Sequence, residues 1–139
     1  MEIEKVTIND LDDIVNIELK FFDGVQFYSK KSLEEMLAND NVIFIKVVDK
    51  KIIKGYSLAY YLTDHIDLYQ IAVDHKYQRH HIATKLHQEL NKRMLPIYVE
   101  VAENNEAAIA FYEANGYNII KILSNYYGFN SNALLMRKE

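Results

Sequence analysis

Apolar and polar residues alternate weakly over Met1–Ile8, the period-two pattern of a first strand. Leu11, Ile14, Val15 and Ile17 then recur at helical spacing, with Asp10 and Asp13 at cap positions. The aromatic stretch Phe21–Tyr28 carries a glycine and reads as a bend between two helices. The second helix is short, opens on an S-x-x-E capping box at Ser32 and Glu35, and ends near Asn39. Asn41–Val48 and Lys51–Leu62 are rich in strand formers and separated by Asp49-Lys50, so they predict a hairpin. Leu68–Val73 is a further strand. Ile82, Leu86 and Leu90 recur every four positions, which predicts a helix from Ile82 to Met94, stopped by Pro96. Ile97–Val101 reads as a strand and Asn105–Asn115 as a helix, with Ala108, Phe111 and Tyr112 on one face. Gly116 stands where a helix-ending glycine belongs. Tyr117–Leu123 and Ala133–Arg137 are closing strands around the loop SNYYGFNSN.

The predicted order is β-α-α-β-β-β-α-β-α-β-β, without an internal repeat or a linker. Consecutive strands without intervening helices exclude a regularly alternating doubly wound fold. An α/β (α+β) domain with a mixed sheet and helices on both faces fits the order, and 139 residues suit one domain spanning 1–139.

Composition narrows the chemistry. Cysteine is absent, which removes disulfides, a thiolate nucleophile and a cysteine zinc site. The apolar runs are short and broken by charge, and the charged N-terminus does not read as a signal peptide. A soluble cytoplasmic protein without membrane contact is therefore expected. The net charge of −4 gives no general attraction for nucleic acid. Its distribution is uneven. His75–Arg93 holds five bases against Glu89 alone, a charge of +4 that leaves −8 elsewhere, and four of the five histidines fall in it. No acid or cysteine stands at ligand spacing with those histidines, so no metal is expected. A solvated helix face explains such a window; so does a site for an anionic ligand.

The segment Ile71 to Leu86 decides between these readings. A strand runs into a basic turn and then a helix, so backbone N–H groups at a helix N-terminus face a place where an anion is favoured. Neither a Walker lysine nor G-x-G-x-x-G is present. Gln78-Arg79-His80-His81-Ile82-Ala83 resembles the acetyl-CoA loop Gln/Arg-x-x-Gly-x-Gly/Ala of the GCN5-related N-acetyltransferase (GNAT) superfamily. Asn105, Ala108, Phe111, Tyr112, Glu113, Gly116 and Tyr117 resemble a second signature of that family. The element order matches across the chain. Within the superfamily the chain is most similar to the protein N-terminal acetyltransferases of the ribosomal-protein alanine type, on Ile97–Val101, the Asn105–Tyr117 segment, Asn125-Tyr126-Tyr127, Phe21-Phe22 and Tyr28-Ser29.

The resemblance implies a mostly antiparallel sheet of about seven strands with a splayed parallel strand pair. It implies acetyl-CoA as cosubstrate, held by Ile71, Ala72, Val73, Gln78, Arg79, His80, His81, Ile82, Ala83, Thr84, Asn105, Ala108, Phe111 and Tyr112. Glu100 takes the place of the general base, Tyr112 that of the general acid, and Phe22, Tyr28, Tyr126 and Tyr127 those of acceptor contacts. The acceptor implied is the α-amine of a protein or peptide N-terminus, with a monomer or homodimer as the working unit. A small-molecule amine or a lysine as acceptor, or a non-catalytic acyl-CoA-binding module, are the alternatives. His81 departs from the motif, standing where the family places glycine; its side chain must turn outward or offer a donor to a phosphate. Tyr112 at helical spacing also suits a core residue, and Glu100 a solvated strand position.

Overall fold

The computed structural model describes residues 1–78 and 81–139. Its elements are β1 (Glu2–Lys5), α1 (Leu11–Phe21), α2 (Lys30–Leu37), β2 (Val42–Asp49), β3 (Ile52–Tyr61), β4 (Ile66–Val73), α3 (Ile82–Asn91), β5 (Ile97–Ala102), α4 (Glu106–Ala114), β6 (Asn118–Leu123) and β7 (Ala133–Lys138). The seven strands form one mixed sheet in the order β1-β2-β3-β4-β5-β7-β6. The chain divides into two compact units, Met1–Tyr61 with Gln70–Arg93 and Leu62–Tyr69 with Met94–Glu139.

In the first unit β1, β2 and β3 are antiparallel neighbours, and Lys50 and Lys51 turn the β2–β3 hairpin at φ 52° and 67°. Two successive left-handed residues match the right-handed twist of the strands they join. Leu11, Ile14 and Ile17 of α1 and Leu33 of α2 are buried with Phe44, Tyr56, Leu58 and Ala72. α3 buries Ile82, Leu86, His87 and Leu90, the four-residue stripe visible in the sequence with one histidine added. In the second unit β4 runs parallel to β5 through Ile66–Leu68 against Ile97–Val99, a ladder of three pairs although both strands continue beyond it. β7 is antiparallel to both β5 and β6. Asn115 and Gly116 end α4, with Gly116 at φ 92°, the left-handed position anticipated for it. Among the described residues no helix is long and apolar enough to cross a membrane.

Two local expectations are corrected. α2 is capped by Ser29, whose hydroxyl accepts from the Ser32 N–H at 3.0 Å; Ser32 is already inside the helix, one turn later than a cap. The first strand ends at Lys5, because Thr7 and Asp10 close a single 3-10 turn over Ile8–Asp10 in which Asp10 accepts from the Thr7 N–H at 2.7 Å.

Asp10 has a second partner. Lys46, nearly buried on β2, reaches its carboxylate at 2.6 Å and Glu4 at 3.8 Å. Burial alone pushes the Asp10 carboxyl up. The hydrogen bonds from Lys46 and Thr7 and the Lys46 charge outweigh it and hold the group below its ordinary value. A depressed carboxyl contributes stability that is full above its unfolded pKa and disappears as pH falls through the folded one. Asp10→Asn should therefore cost roughly 2 kcal/mol at pH 7. Urea titrations should show the two proteins converging as pH drops below about 4; a constant gap down to pH 2 would exclude the ion pair as the cause.

Candidate active site

In the first unit the candidate residues lie at the end of β4, in the turn after it and at the start of α3. Ile71 is half-buried, and Ala72 and Val73 are buried. Asp74 caps a 3-10 turn over His75–Tyr77 by accepting from the Lys76 N–H, and its own N–H donates to the Lys54 carbonyl at 2.9 Å. His75 holds this turn to α1: its Nε2 is 2.6 Å from the Lys20 carbonyl, and its Nδ1 is 3.2 Å from the Gln78 carboxamide. Donation from Nε2 leaves Nδ1 as the acceptor, one consistent neutral tautomer. Arg79 and His80 lie outside the described residues.

His81 is the N-cap of α3, at φ 60° and ψ 24°. That backbone is left-handed, which supplies a reason for a glycine in the motif: an L side chain is strained there, although histidine is among the residues that tolerate it. His81 is exposed, so its ring turns outward. It makes no side-chain cap, and the first turn of α3 carries no acid. The Ile82, Ala83 and Thr84 N–H groups open the helix in the usual way, without partners of their own from within it. Beside them is an open hollow of about 460 Å³ lined by Met1, His81, Thr84, Lys85 and Gln88. α3 is seated by Gly55 on β3. A Cβ at residue 55 would lie 2.8 Å from Ile82 Cγ2 and 2.9 Å from the Ala72 carbonyl oxygen, closer than packed atoms come.

In the second unit they lie on β5, on α4 and in the β6–β7 loop. Ile97, Val99 and Val101 of β5 are buried, so Glu100 lies on the opposite face with Tyr98 and Ala102, and is exposed. Tyr126 lies near Glu100, and that carboxylate, together with burial, pushes the phenol up to about 12. Tyr127 is raised as well, by burial and then by Glu100. The two rings meet edge-on at 5.0 Å. Their loop is braced by side chains: the Asn125 N–H donates to Asn132 Oδ1 at 2.8 Å, and the Asn130 N–H to Asn125 Oδ1 at 2.9 Å. Asn125 and Asn130 take left-handed backbone, which asparagine accepts more readily than most residues. On α4, Asn105 caps the helix by accepting from the Ala108 N–H at 3.1 Å. Phe111 is half-buried. Tyr112 is buried against Tyr117 with rings 5.1 Å apart, and burial pushes its phenol well above the ordinary value.

Residues 11–117 match the model of the acetyltransferase (GNAT) family. The chain belongs to that family.

Among curated relatives of this GNAT chain, the ribosomal protein bS18-alanine N-acetyltransferase of Escherichia coli K12 is 38% identical over 78 residues, 52% of this chain and 53% of the relative. An uncharacterized Mycobacterium leprae protein is 29% identical over 141 residues, 96% of this chain and 39% of the relative. The chain thus spans about half or less of the length of these relatives. The crystal structure of the E. coli ribosomal-protein-S18-alanine N-acetyltransferase superposes with a TM-score of 0.85 at 26% identity, covering 99% of this chain and 92% of that one. An aminoglycoside 6′-N-acetyltransferase complexed with coenzyme A also gives 0.85, at 22% identity over 99% of this chain and 96% of that one, a likeness of fold.

Of the acceptor residues anticipated in this GNAT chain, Phe22 and Tyr28 are half-buried and pack on the core of the first unit, while Tyr126 and Tyr127 stand exposed in the second. Two residues of consequence escaped the sequence reading. Gly55 gives no signal in a strand-forming run. Phe27, 57% exposed, is the aromatic that the Phe21–Tyr28 bend presents to solvent. At His81, glycine should relieve the left-handed strain and stabilise the fold by roughly 1 kcal/mol, whereas Gly55→Ala should cost about 1–3 kcal/mol by overpacking α3. Denaturant midpoints measure both, and a destabilised His81→Gly would show that the imidazole contributes more than its backbone costs.

Proposed function

We propose that this chain transfers the acetyl group of acetyl-CoA to the α-amine of a protein or peptide N-terminus, by direct attack and without a covalent enzyme intermediate. The observation that carries the reading is Glu100, an exposed carboxylate on β5 that lies near enough to Tyr126 and Tyr127 to hold both phenols above their ordinary values. Such a group suits an amine that must lose a proton, and ring surface beside it suits the backbone and side chain of a peptide end. The likeness to a ribosomal-protein alanine acetyltransferase supports the same acceptor class.

The residues present fit the cosubstrate. N–H groups at the start of α3 that His81 does not cap, without an acid in its first turn, suit a pyrophosphate. Bound acetyl-CoA supplies an acyl thioester activated toward amines. In this reading Ile82, Ala83 and Thr84, with Gln78, His81 and the undescribed Arg79 and His80, hold its anionic end, and the backbone of Ile71, Ala72 and Val73 takes the amide-bearing arm. The Val73 N–H is assigned to the thioester carbonyl. Asn105 spends its carbonyl oxygen on the helix cap, so its Nδ2 group is the donor left for the cosubstrate. Glu100 takes a proton from the acceptor through a water. An α-amine with a pKa near ~8 needs less help than a lysine near ~10.4. Tyr112, protonated throughout the neutral range, returns a proton to the departing thiolate.

Thiol release with acetyl-CoA and a panel of N-terminal peptides, lysine peptides, polyamines and aminoglycosides tests the acceptor. Peptides with a free α-amine should react fastest; preference for a small amine would transfer the assignment to that class, and tight acetyl-CoA binding without transfer would make the chain a binding module. Tyr112→Phe keeps the ring and deletes the proton donor. Turnover should fall at least about 100-fold with stability and acetyl-CoA affinity little changed. More than half the rate retained would make Tyr112 a core residue only.

A further inference from the structure

Glu18, on α1, is a buried carboxylate that the mechanism above does not use; it is 2% exposed. Both its oxygens accept hydrogen bonds. Oε2 accepts from the Gln70 carboxamide at 2.8 Å, and Gln70 in turn accepts from the Tyr56 hydroxyl at 2.8 Å. Oε1 accepts from the backbone N–H of Phe27 at 3.1 Å, nine residues along the chain. The first two contacts are anchors, because Gln70 and Tyr56 are buried on β4 and β3. The third is different in kind. Phe27 belongs to the segment that leaves α1 through left-handed Asp23 and Gly24, at φ 54° and 89°, and continues without regular structure to Ser29.

A segment of that kind sheds its backbone order easily unless something fixes it. Glu18 does so, joining the middle of the loop to the strand whose next three residues are Ile71, Ala72 and Val73. The same bond sets the side chains. Phe27 meets Phe22 edge-on at 4.9 Å, and Val25 and Phe27 remain about half exposed at 49% and 57%. Apolar side chains held half exposed in an ordered loop are available to a ligand.

We infer that Glu18 is a positioning residue for the acceptor: from its anchor on Gln70 it holds the Phe22–Tyr28 loop in the one shape that receives the amine-bearing substrate. The inference rests on the acetyl-transfer reading above. It goes beyond that reading in assigning acceptor affinity to a residue that touches neither acceptor nor cosubstrate. What the loop requires is an acceptor oxygen for the Phe27 N–H. Glutamine provides one, and its carboxamide N–H is met when Gln70 turns its own amide over; leucine provides none.

Two measurements test this. Amide hydrogen exchange in the wild-type protein should show Phe27 protected at least about tenfold over Gln26, its neighbour in the same exposed loop. With an alanine-initiated peptide as acceptor, Glu18→Leu should raise the peptide KM about tenfold or more while kcat changes less than about threefold. Glu18→Gln should keep KM within about threefold of wild type, and calorimetry should give all three proteins the same acetyl-CoA affinity. An unprotected Phe27 amide would overturn the inference, even if Glu18→Leu failed to fold. So would a Leu variant whose KM is unchanged, Leu and Gln variants that behave alike, or a parallel loss of acetyl-CoA affinity; the acetyl-transfer reading survives each of these. If the wild-type protein acetylates no peptide, that reading falls, and the role of Glu18 toward the acceptor falls with it.

Discussion

Ile82 opens α3 against a residue that has no side chain. The space above Gly55 is filled by the Ile82 methyl and the Ala72 carbonyl, and that close approach fixes where the helix begins relative to the strand carrying Ile71–Val73. On the proposed reading the rest of the pyrophosphate site follows from it. His81, just before the pinned Ile82, takes left-handed backbone. His81 does not fold its side chain back as a cap, and on the proposed reading the first N–H groups of α3 are the ones directed at the cosubstrate. The +4 window around them adds charge of the right sign, but the charge attracts from a distance, whereas packing at Gly55 gives the amides their place.

Much of this was legible in the sequence. The element order follows from periodicity, and the stretch Asn105 to Gly116 declared both ends of α4, because a cap and a left-handed stop are local devices whose chemistry is carried by one side chain each. The α2 cap was misplaced by one turn for a related reason. Ser29 and Ser32 are both competent caps, and the choice between them depends on how the chain arrives from the Phe22–Tyr28 loop, which propensity does not encode. Gly55 and Glu18 were silent because their roles are wholly tertiary. One is defined by the atoms opposite it and the other by partners nine and fifty-two residues away.

The motif histidine illustrates a subtler case. A glycine at this place in the motif spares a phosphate the obstruction of a Cβ. In the structure the position is also governed by φ, a constraint that acts before any ligand binds. The two considerations separate physically. Strain in the free chain lowers stability, while crowding at a phosphate would lower affinity, so a stability measurement and a binding measurement read them apart.

The tyrosines of the second unit hold their protons for opposite reasons, and on the proposed reading this separates their roles. Tyr126 is exposed and is raised first by the neighbouring Glu100 carboxylate, which favours the phenol over the phenolate. Tyr112 is raised by burial alone. A phenol made reluctant to ionise looks like a poor donor to a thiolate, since a free thiol has a pKa of about 8.5. Burial acts on both partners, however. A thiolate released into the same apolar surroundings is destabilised as an anion, so its affinity for a proton rises as well. Proton transfer from Tyr112 is therefore matched to a leaving group that never becomes a solvated thiolate, and the mismatch reappears only where water reaches the sulfur. Exclusion of water around Tyr112 thus belongs to the chemistry of the proposed acid as much as to the packing of the core.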